Sequence, residues 1–318
     1  MNKLLSIVVP CYNEEEVLPL FCEKVGEVDA QLKKNKDVDT EYIFVDDGSK
    51  DHTLELMRQY HLKDTKYHYI SFSRNFGKEA GLYAGLKEAK GDYVSVMDAD
   101  LQDPPTLLPE MIEDVSSKEY DCCATRRVTR TGESKIRSFF ARMFYQIVNH
   151  ESDTEIMDGA RDFRVMSRQM TDAVLSMSEY NRFSKGIFSW VGFHTKWLDY
   201  ENIERAAGTT SWSFKKLFKY AIDGLVGYTT KPLEIAAWFG FIFSFISVIG
   251  IIVIIVKRLA FGDPVAGWAS TVVIILFCSG IQLLSTGIIG EYLAKTYLEV
   301  KNRPIYIVKE QDEKIEKK

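Results

Sequence analysis

The chain has 318 residues, 46% of them hydrophobic, a formal charge of −5 and five cysteines. That length predicts roughly two folding units of ~150 residues, and the charge supplies no basic field, so a nucleic-acid partner is not expected. Cys11, Cys22, Cys122, Cys123 and Cys278 are odd in number and lack C-x-x-C spacing, which argues against a disulfide framework or zinc site and for a reduced compartment.

The first apolar run is too short for a signal peptide and breaks into Asn13-Glu14-Glu15-Glu16, so residues 4–10 read as a first strand. A helix over 15–32 follows, with Leu18, Val25, Val28 and Leu32 facing inward. Residues 42–45 form a short strand ending in Asp46-Asp47-Gly48-Ser49, and Asp51 is better placed than Asp46 to cap the helix predicted over 53–60. A strand over 67–72 precedes a helix over 77–90, whose Gly81 and Gly85 permit close packing. Residues 92–97 are β-branched and aromatic, as in a buried strand. This alternation predicts an α/β fold with a parallel, nucleotide-binding sheet.

The last of these strands runs into VMDADLQDPP. Asp98, Asp100 and Gln102 alternate, so in an extended segment they project to one face, at a strand end where open α/β sheets bind ligands. Three oxygen donors there suit Mg²⁺ or Mn²⁺, and an acidic turn ahead of Pro104-Pro105 accounts for the same residues. Carboxylates recur at the ends of three strands (Glu14, Asp46/Asp47, Asp98/Asp100), where they can accept from a base or a ribose hydroxyl.

The second half changes character. Residues 235–256 and 265–290 carry no charge over 22 and 26 residues, each long enough at 1.5 Å per residue to cross a core of about 30 Å. They are expected to form a transmembrane hairpin. Lys215, Lys216, Lys219 and Lys231 before it, and Lys295, Lys301, Arg303 and Lys309 after it, predict cytoplasmic flanks. Phe214, Leu217, Phe218, Ala221, Ile222 and Leu225 recur at helical spacing opposite lysines, which predicts an interfacial helix. The tail over 309–318 reads as charged and disordered. The expected organisation is a catalytic domain over 1–205, an amphipathic segment over 206–232, a hairpin over 233–292 and a cytoplasmic tail over 293–318.

IVVPCYNEEE, VDDGSKDHT, FSRNFGKEAG, MDADLQDPP, RDFRVMSR and RFSKGIFSWVGF together resemble the family 2 glycosyltransferases of GT-A fold. Within these the chain is similar to the polyprenyl-phosphate enzymes, the bactoprenol glucosyltransferases and dolichol-phosphate mannosyltransferases, and the resemblance covers almost the whole chain. It implies a nucleotide pocket at Pro10, Tyr12, Glu14, Asp46 and Asp98, and a Mg²⁺ or Mn²⁺ motif at Asp98, Asp100 and Gln102. It places the catalytic aspartate at Asp162, with Asp100 as a second catalytic residue, a phosphate-holding arginine at Arg205, and the lipid phosphate near Arg126, Lys135 and Arg137. Where many relatives carry a lysine, Ser211 or Trp212 stands here.

The implied reaction is inverting transfer from a nucleotide sugar, UDP-glucose or UDP-GlcNAc, to undecaprenyl phosphate at the cell membrane by a multi-pass enzyme. A homo-oligomer is among the assemblies this reading allows. A polyprenyl monophosphate is largely dianionic at neutral pH and needs little help from a base. Arg161 and Arg164 are expected to keep Asp162 ionised, so its expected role is to orient. Competing readings are a processive polysaccharide synthase, against which stands the missing Q-x-x-R-W motif, and a non-catalytic membrane scaffold. Residue by residue, Tyr12 could serve packing alone, Arg126 an ordinary basic surface, and Asp162 a structural ion pair.

Overall fold

The computed structural model describes residues 2–127, 157, 159–200, 226, 229–261 and 267–312. The amphipathic helix expected over 214–225, and with it Lys135, Arg137, Arg205, Ser211 and Trp212, lies outside them. The chain divides into two compact units, Met1–Ala221 with Arg303–Lys318, and Ile222–Asn302.

The first unit is built on eight strands: β1 (Lys3–Cys11), β2 (Val38–Asp46), β3 (Tyr67–Phe72), β4 (Tyr93–Val96), β5 (Cys122–Arg127), β6 (Ala160–Ser167), β7 (Thr195–Tyr200) and β8 (Val308–Gln311). Their order is β7-β5-β6-β4-β1-β2-β3-β8. The segment resembling a signal peptide is therefore the central strand β1. Pairings β4-β1-β2-β3 are parallel, as expected. Beyond these the parallel-sheet expectation is corrected, because β6 runs antiparallel to both β4 and β5 and β8 antiparallel to β3, while β7 is parallel to β5. The sheet is mixed.

Helices α1 (Leu18–Lys36), α2 (Thr53–Lys63), α3 (Lys78–Glu88), α4 (Leu108–Ser116), α5 (Arg168–Ser176) and α6 (Ser184–Trp190) connect the strands. On one face Leu5, Ile7 and Val9 join Leu18, Phe21 and Val25 in the core. Tyr42, Phe44 and Tyr67 stack there at ring separations of 5.1–6.3 Å. The inward residues predicted for the first helix (Leu18, Val25, Val28, Leu32) are all buried. Asp51 does not occupy the cap position expected of it: the N-cap of α2 is His52, and Asp51 Oδ1, one residue earlier, accepts from the backbone N–H and the hydroxyl of Thr53.

The other face of β1 and β2 receives α3, and its glycines are the reason it lies so close. A Cβ on Gly81 would stand 3.3 Å from Pro10 Cβ, and one on Gly85 would overlap Val8 Cγ1 and lie 3.2 Å from Val45 Cγ2. Gly→Ala in a helix ordinarily gains about 1 kcal/mol, but overpacking a core costs about 1–3 kcal/mol. Gly85→Ala is therefore expected to lower stability, read as a fall in the thermal midpoint of unfolding; an unchanged or higher midpoint would refute the close approach.

The expectation of a disordered tail from Lys309 fails at 309–312. Glu310 takes a two-pronged ion pair from Arg58 (2.7 and 2.6 Å) and a bond from the Tyr69 hydroxyl at 3.0 Å. His68 Nδ1 donates to the buried Asp312 at 2.5 Å, and Tyr306 stacks on Phe72 with centroids 4.9 Å apart. Charge that reads as disorder in isolation is neutralised by partners on the sheet edge.

The second unit contains two long helices, α7 (Lys231–Phe261) and α8 (Trp268–Val300), longer than the apolar runs alone. Phe243 and Phe277 meet edge-on at 5.4 Å, and the Tyr292 hydroxyl donates to the Thr229 carbonyl at 2.6 Å. Among the described residues one segment, Lys231–Gly250, is long and apolar enough to cross a membrane. Its Trp238, Phe241 and Phe245 are exposed.

Candidate active site

The ends of β1, β2 and β4 bring the predicted acidic residues to one rim of the sheet. Antiparallel pairing of β4 with β6 sets Val96 opposite Arg164, so continuing both strands by two residues places Asp98 alongside Asp162. Lys78, the first residue of α3, bridges them, its Nζ 2.6 Å from Asp98 Oδ1 and 2.5 Å from Asp162 Oδ2. Its placement is fixed from below. Asp47 Oδ1 and Oδ2 accept the backbone N–H groups of Phe76 and Gly77 at 2.6 and 2.9 Å, and Gly77 at φ +98° makes the turn into the helix.

The acidic segment departs from the extended arrangement expected for it. It is a turn, with Leu101 left-handed at φ +56° and Asp100 Oδ1 accepting the Gln102 N–H at 3.2 Å. Asp98, Asp100 and Gln102 do not alternate on one face of a strand; the turn, which a left-handed non-glycine residue completes, sets their directions instead. Asp100 is buried, and Gln102 Oε1 accepts from Arg161 Nη2 at 3.4 Å.

The Asp162 carboxyl is shifted in the expected direction, with lysines ahead of the one expected arginine that contributes. Burial by itself would raise its pKa; the ammonium of Lys78, joined by Lys185 and Arg164, outweighs this and holds the carboxyl well below the usual range. Arg161 turns away to Asp103, its Nε donating to Oδ1 at 3.1 Å. Arg164 donates to the backbone carbonyls of Asp162 and Arg161 and lies 3.7 Å above the Phe188 ring. Neither forms the carboxylate ion pair the alternative reading required.

The remaining residues divide by setting. Pro10 lies in β1 beside Val45. Tyr12 is 42% exposed. The Glu14 backbone N–H donates to Thr53 Oγ1 at 2.8 Å. Asp46 is buried, its Oδ1 accepting from Ser49 N–H and its Oδ2 from the Ser71 hydroxyl. Arg126 makes a two-pronged pair with Asp199 at 2.7 and 2.8 Å.

Sequence reasoning missed Lys78, Glu79 and Asp103. A basic residue opening a helix opposes the macrodipole, and that unfavourable placement in FGKEAG was the available signal for Lys78. Asp103 is buried with Arg161 and the Tyr200 hydroxyl on Oδ1, while its Oδ2 has no hydrogen-bond partner among the described residues. Glu79 accepts from the backbone N–H and hydroxyl of Ser184 and lines a cavity of about 350 Å³ with Arg74, Gly77, Asn181 and Arg182.

Burial pushes the Glu79 carboxyl from 4.5 up to about 7, against the opposing Ser184 bonds. Below pH 4.5 both folded and unfolded chains hold this proton. Between 4.5 and 7 only the unfolded chain releases it freely, so stability falls as pH rises and the loss is complete above 7. Glu79→Gln, which keeps the acceptor oxygen, is expected to be more stable than wild type at pH 8 by about 3 kcal/mol and equal to it at pH 4. Denaturant melts at the two pH values check this, and equal stability at pH 8 would contradict it.

A mixed sheet whose central parallel strands carry carboxylates at their carboxyl ends is the frame of an α/β enzyme. Residues 6–175 match Glycosyl transferase family 2, and the chain belongs to that family; it is a glycosyltransferase of GT-A-like fold. It is 43% identical over 307 residues to the putative glycosyltransferase CsbB of Bacillus subtilis, covering 96% of this chain and 92% of that one. It is 38% identical to the bactoprenol glucosyl transferase of Shigella phage SfII, covering 96% and 97%. Glucosyl-3-phosphoglycerate synthase from Mycobacterium tuberculosis superimposes with a TM-score of 0.44 at 18% identity, over 69% of this chain and 76% of that one.

Proposed function

We propose that this glycosyltransferase moves a sugar from a nucleotide sugar, UDP-glucose or UDP-GlcNAc, to the phosphate of a polyprenyl phosphate, with inversion at the anomeric carbon. The observation that carries the reading is the convergence of Asp98 and Asp162 on one ammonium at the carboxyl rim of the sheet. Relatives named as bactoprenol glucosyl transferases, matched along almost their full length, support the acceptor. The exposed apolar face of α7 supports membrane attachment, with α8 as second span, and the basic flanks favour a cytoplasmic catalytic domain.

Tyr12 offers an exposed ring to the base, with Pro10, Glu14 and Asp46 shaping the wall of the nucleotide pocket. Asp98, Asp100 and Gln102 are oxygen donors of the kind Mg²⁺ or Mn²⁺ takes, and Asp98 already holds a positive charge in Lys78, so the residues fit such an ion. When bound, the cation neutralises charge on the leaving nucleoside diphosphate. The acceptor phosphate, with a second pKa near ~6, is nucleophilic at neutral pH without a base. Asp162, kept ionised and anchored to Lys78, orients the acceptor and its surrounding basic groups. Arg126, Lys135, Arg137 and Arg205 are assigned to the phosphates.

The test is to incubate the full chain in membranes with undecaprenyl phosphate and radiolabelled UDP-glucose, UDP-GlcNAc, UDP-galactose or GDP-mannose. Label entering the lipid phase from one donor, and only with the phosphorylated lipid, is expected. Label growing into a polymer would favour the processive synthase; no lipid label from any donor would overturn the proposal.

A further inference from the structure

Two carboxylates brought together by adjacent strands repel unless a cation lies between them. Here the cation is supplied by the chain itself. Lys78 Nζ is within 2.6 Å of an oxygen on each of Asp98 and Asp162, and the two residues before it, Phe76 and Gly77, donate their backbone N–H groups to Asp47. Its side chain is 39% accessible, more than either aspartate at 25% and 16%.

An ammonium at contact distance repels a divalent ion arriving on the same carboxylate. The bond to Asp162 carries no such conflict. We propose that Lys78 is a placeholder cation and positioning residue: it holds Asp98 and Asp162 together before the donor arrives, yields Asp98 to the donor's divalent ion, and keeps Asp162 aligned. Loading of the ion and placement of Asp162 are then linked through one side chain. This rests on the functional reading above and deepens it.

The consequence separates this role from plain structure. Removing Lys78 should make the site bind a divalent ion better while making the enzyme slower. Mn²⁺ is titrated into the full-length protein without nucleotide, and free ion is followed by electron paramagnetic resonance. Lys78→Met is expected to bind Mn²⁺ at least ~10-fold more tightly than wild type (~1.4 kcal/mol), with kcat reduced at least ~100-fold. Lys78→Arg, which keeps the charge, should stay within about threefold of wild type in Mn²⁺ affinity.

Lys78→Gln, which can still donate to one of the carboxylates, is run beside the methionine variant, and thermal melts report folding of both. Unchanged or weaker Mn²⁺ binding in a folded variant would overturn the proposal, as would failure of both variants to fold, which assigns Lys78 to structure alone. Wild type that transfers sugar and binds Mn²⁺ while Lys78→Met binds no better would sink this inference and leave the functional reading standing. Wild type that binds no Mn²⁺, with or without UDP, would remove the metal reading and this inference with it.

Discussion

Asp162→Asn is expected to cut kcat by at least ~10³-fold while nucleotide-sugar affinity changes by less than about tenfold, or roughly 1.4 kcal/mol. The substitution keeps the shape and an oxygen for the Lys78 ammonium but removes the charge that fixes it. Since Asp162 is held ionised well below the usual carboxylate range, the wild-type rate should show no limb from its ionisation at physiological pH. The limb near pH ~6 should belong to the lipid phosphate and persist in the variant's residual activity. Steady-state kinetics across pH, with donor binding measured separately, checks this. Retention of most of the wild-type rate would return Asp162 to a structural ion pair with Lys78.

Asp100 and Asp98 should prove nearly as costly, for reasons that can be separated. Asp100→Ala is expected to abolish detectable turnover, but it also removes the oxygen that accepts the Gln102 N–H and closes the turn. Asp100→Asn keeps that acceptor, so a loss of at least ~10²-fold in an intact fold would come from the missing charge. Asp98→Ala releases Lys78 from one of its two anchors and should fall by a similar factor. EDTA should silence the wild type and added Mn²⁺ or Mg²⁺ restore it. Full activity of either alanine variant, or of wild type in EDTA, would sink the metal assignment.

The parallel half of the sheet was legible because β1, β2, β3 and β4 are buried apolar runs punctuated by acidic or glycine-containing loops. Gly81 and Gly85 could be read as contact residues because a helix carrying two glycines four apart needs a reason. The flanks, where antiparallel pairs enter, were not. β6 carries Arg161, Asp162 and Arg164 on a strand, and its direction is set by pairing with β4 and β5 rather than by its own composition. β8 is four residues, of which Lys309 and Glu310 are charged; its partner Arg58 is 252 positions away. The active-site turn depends on Leu101 adopting a backbone conformation that composition does not announce. Motif resemblance located Asp98 and Asp162, but only the β4–β6 register shows why they meet, and Lys78 enters through that meeting.

The most direct test of the whole account is a stoichiometric one. Full-length protein in proteoliposomes is given UDP-glucose and UDP-GlcNAc in separate reactions, with undecaprenyl phosphate or with unphosphorylated undecaprenol, and UDP release and lipid-linked sugar are quantified together. For one of the two donors, one UDP should be released per sugar recovered on the lipid phosphate, with the anomeric configuration inverted and no release above background with the alcohol. UDP release without lipid-linked sugar, retained configuration, or equal reaction with undecaprenol would contradict it.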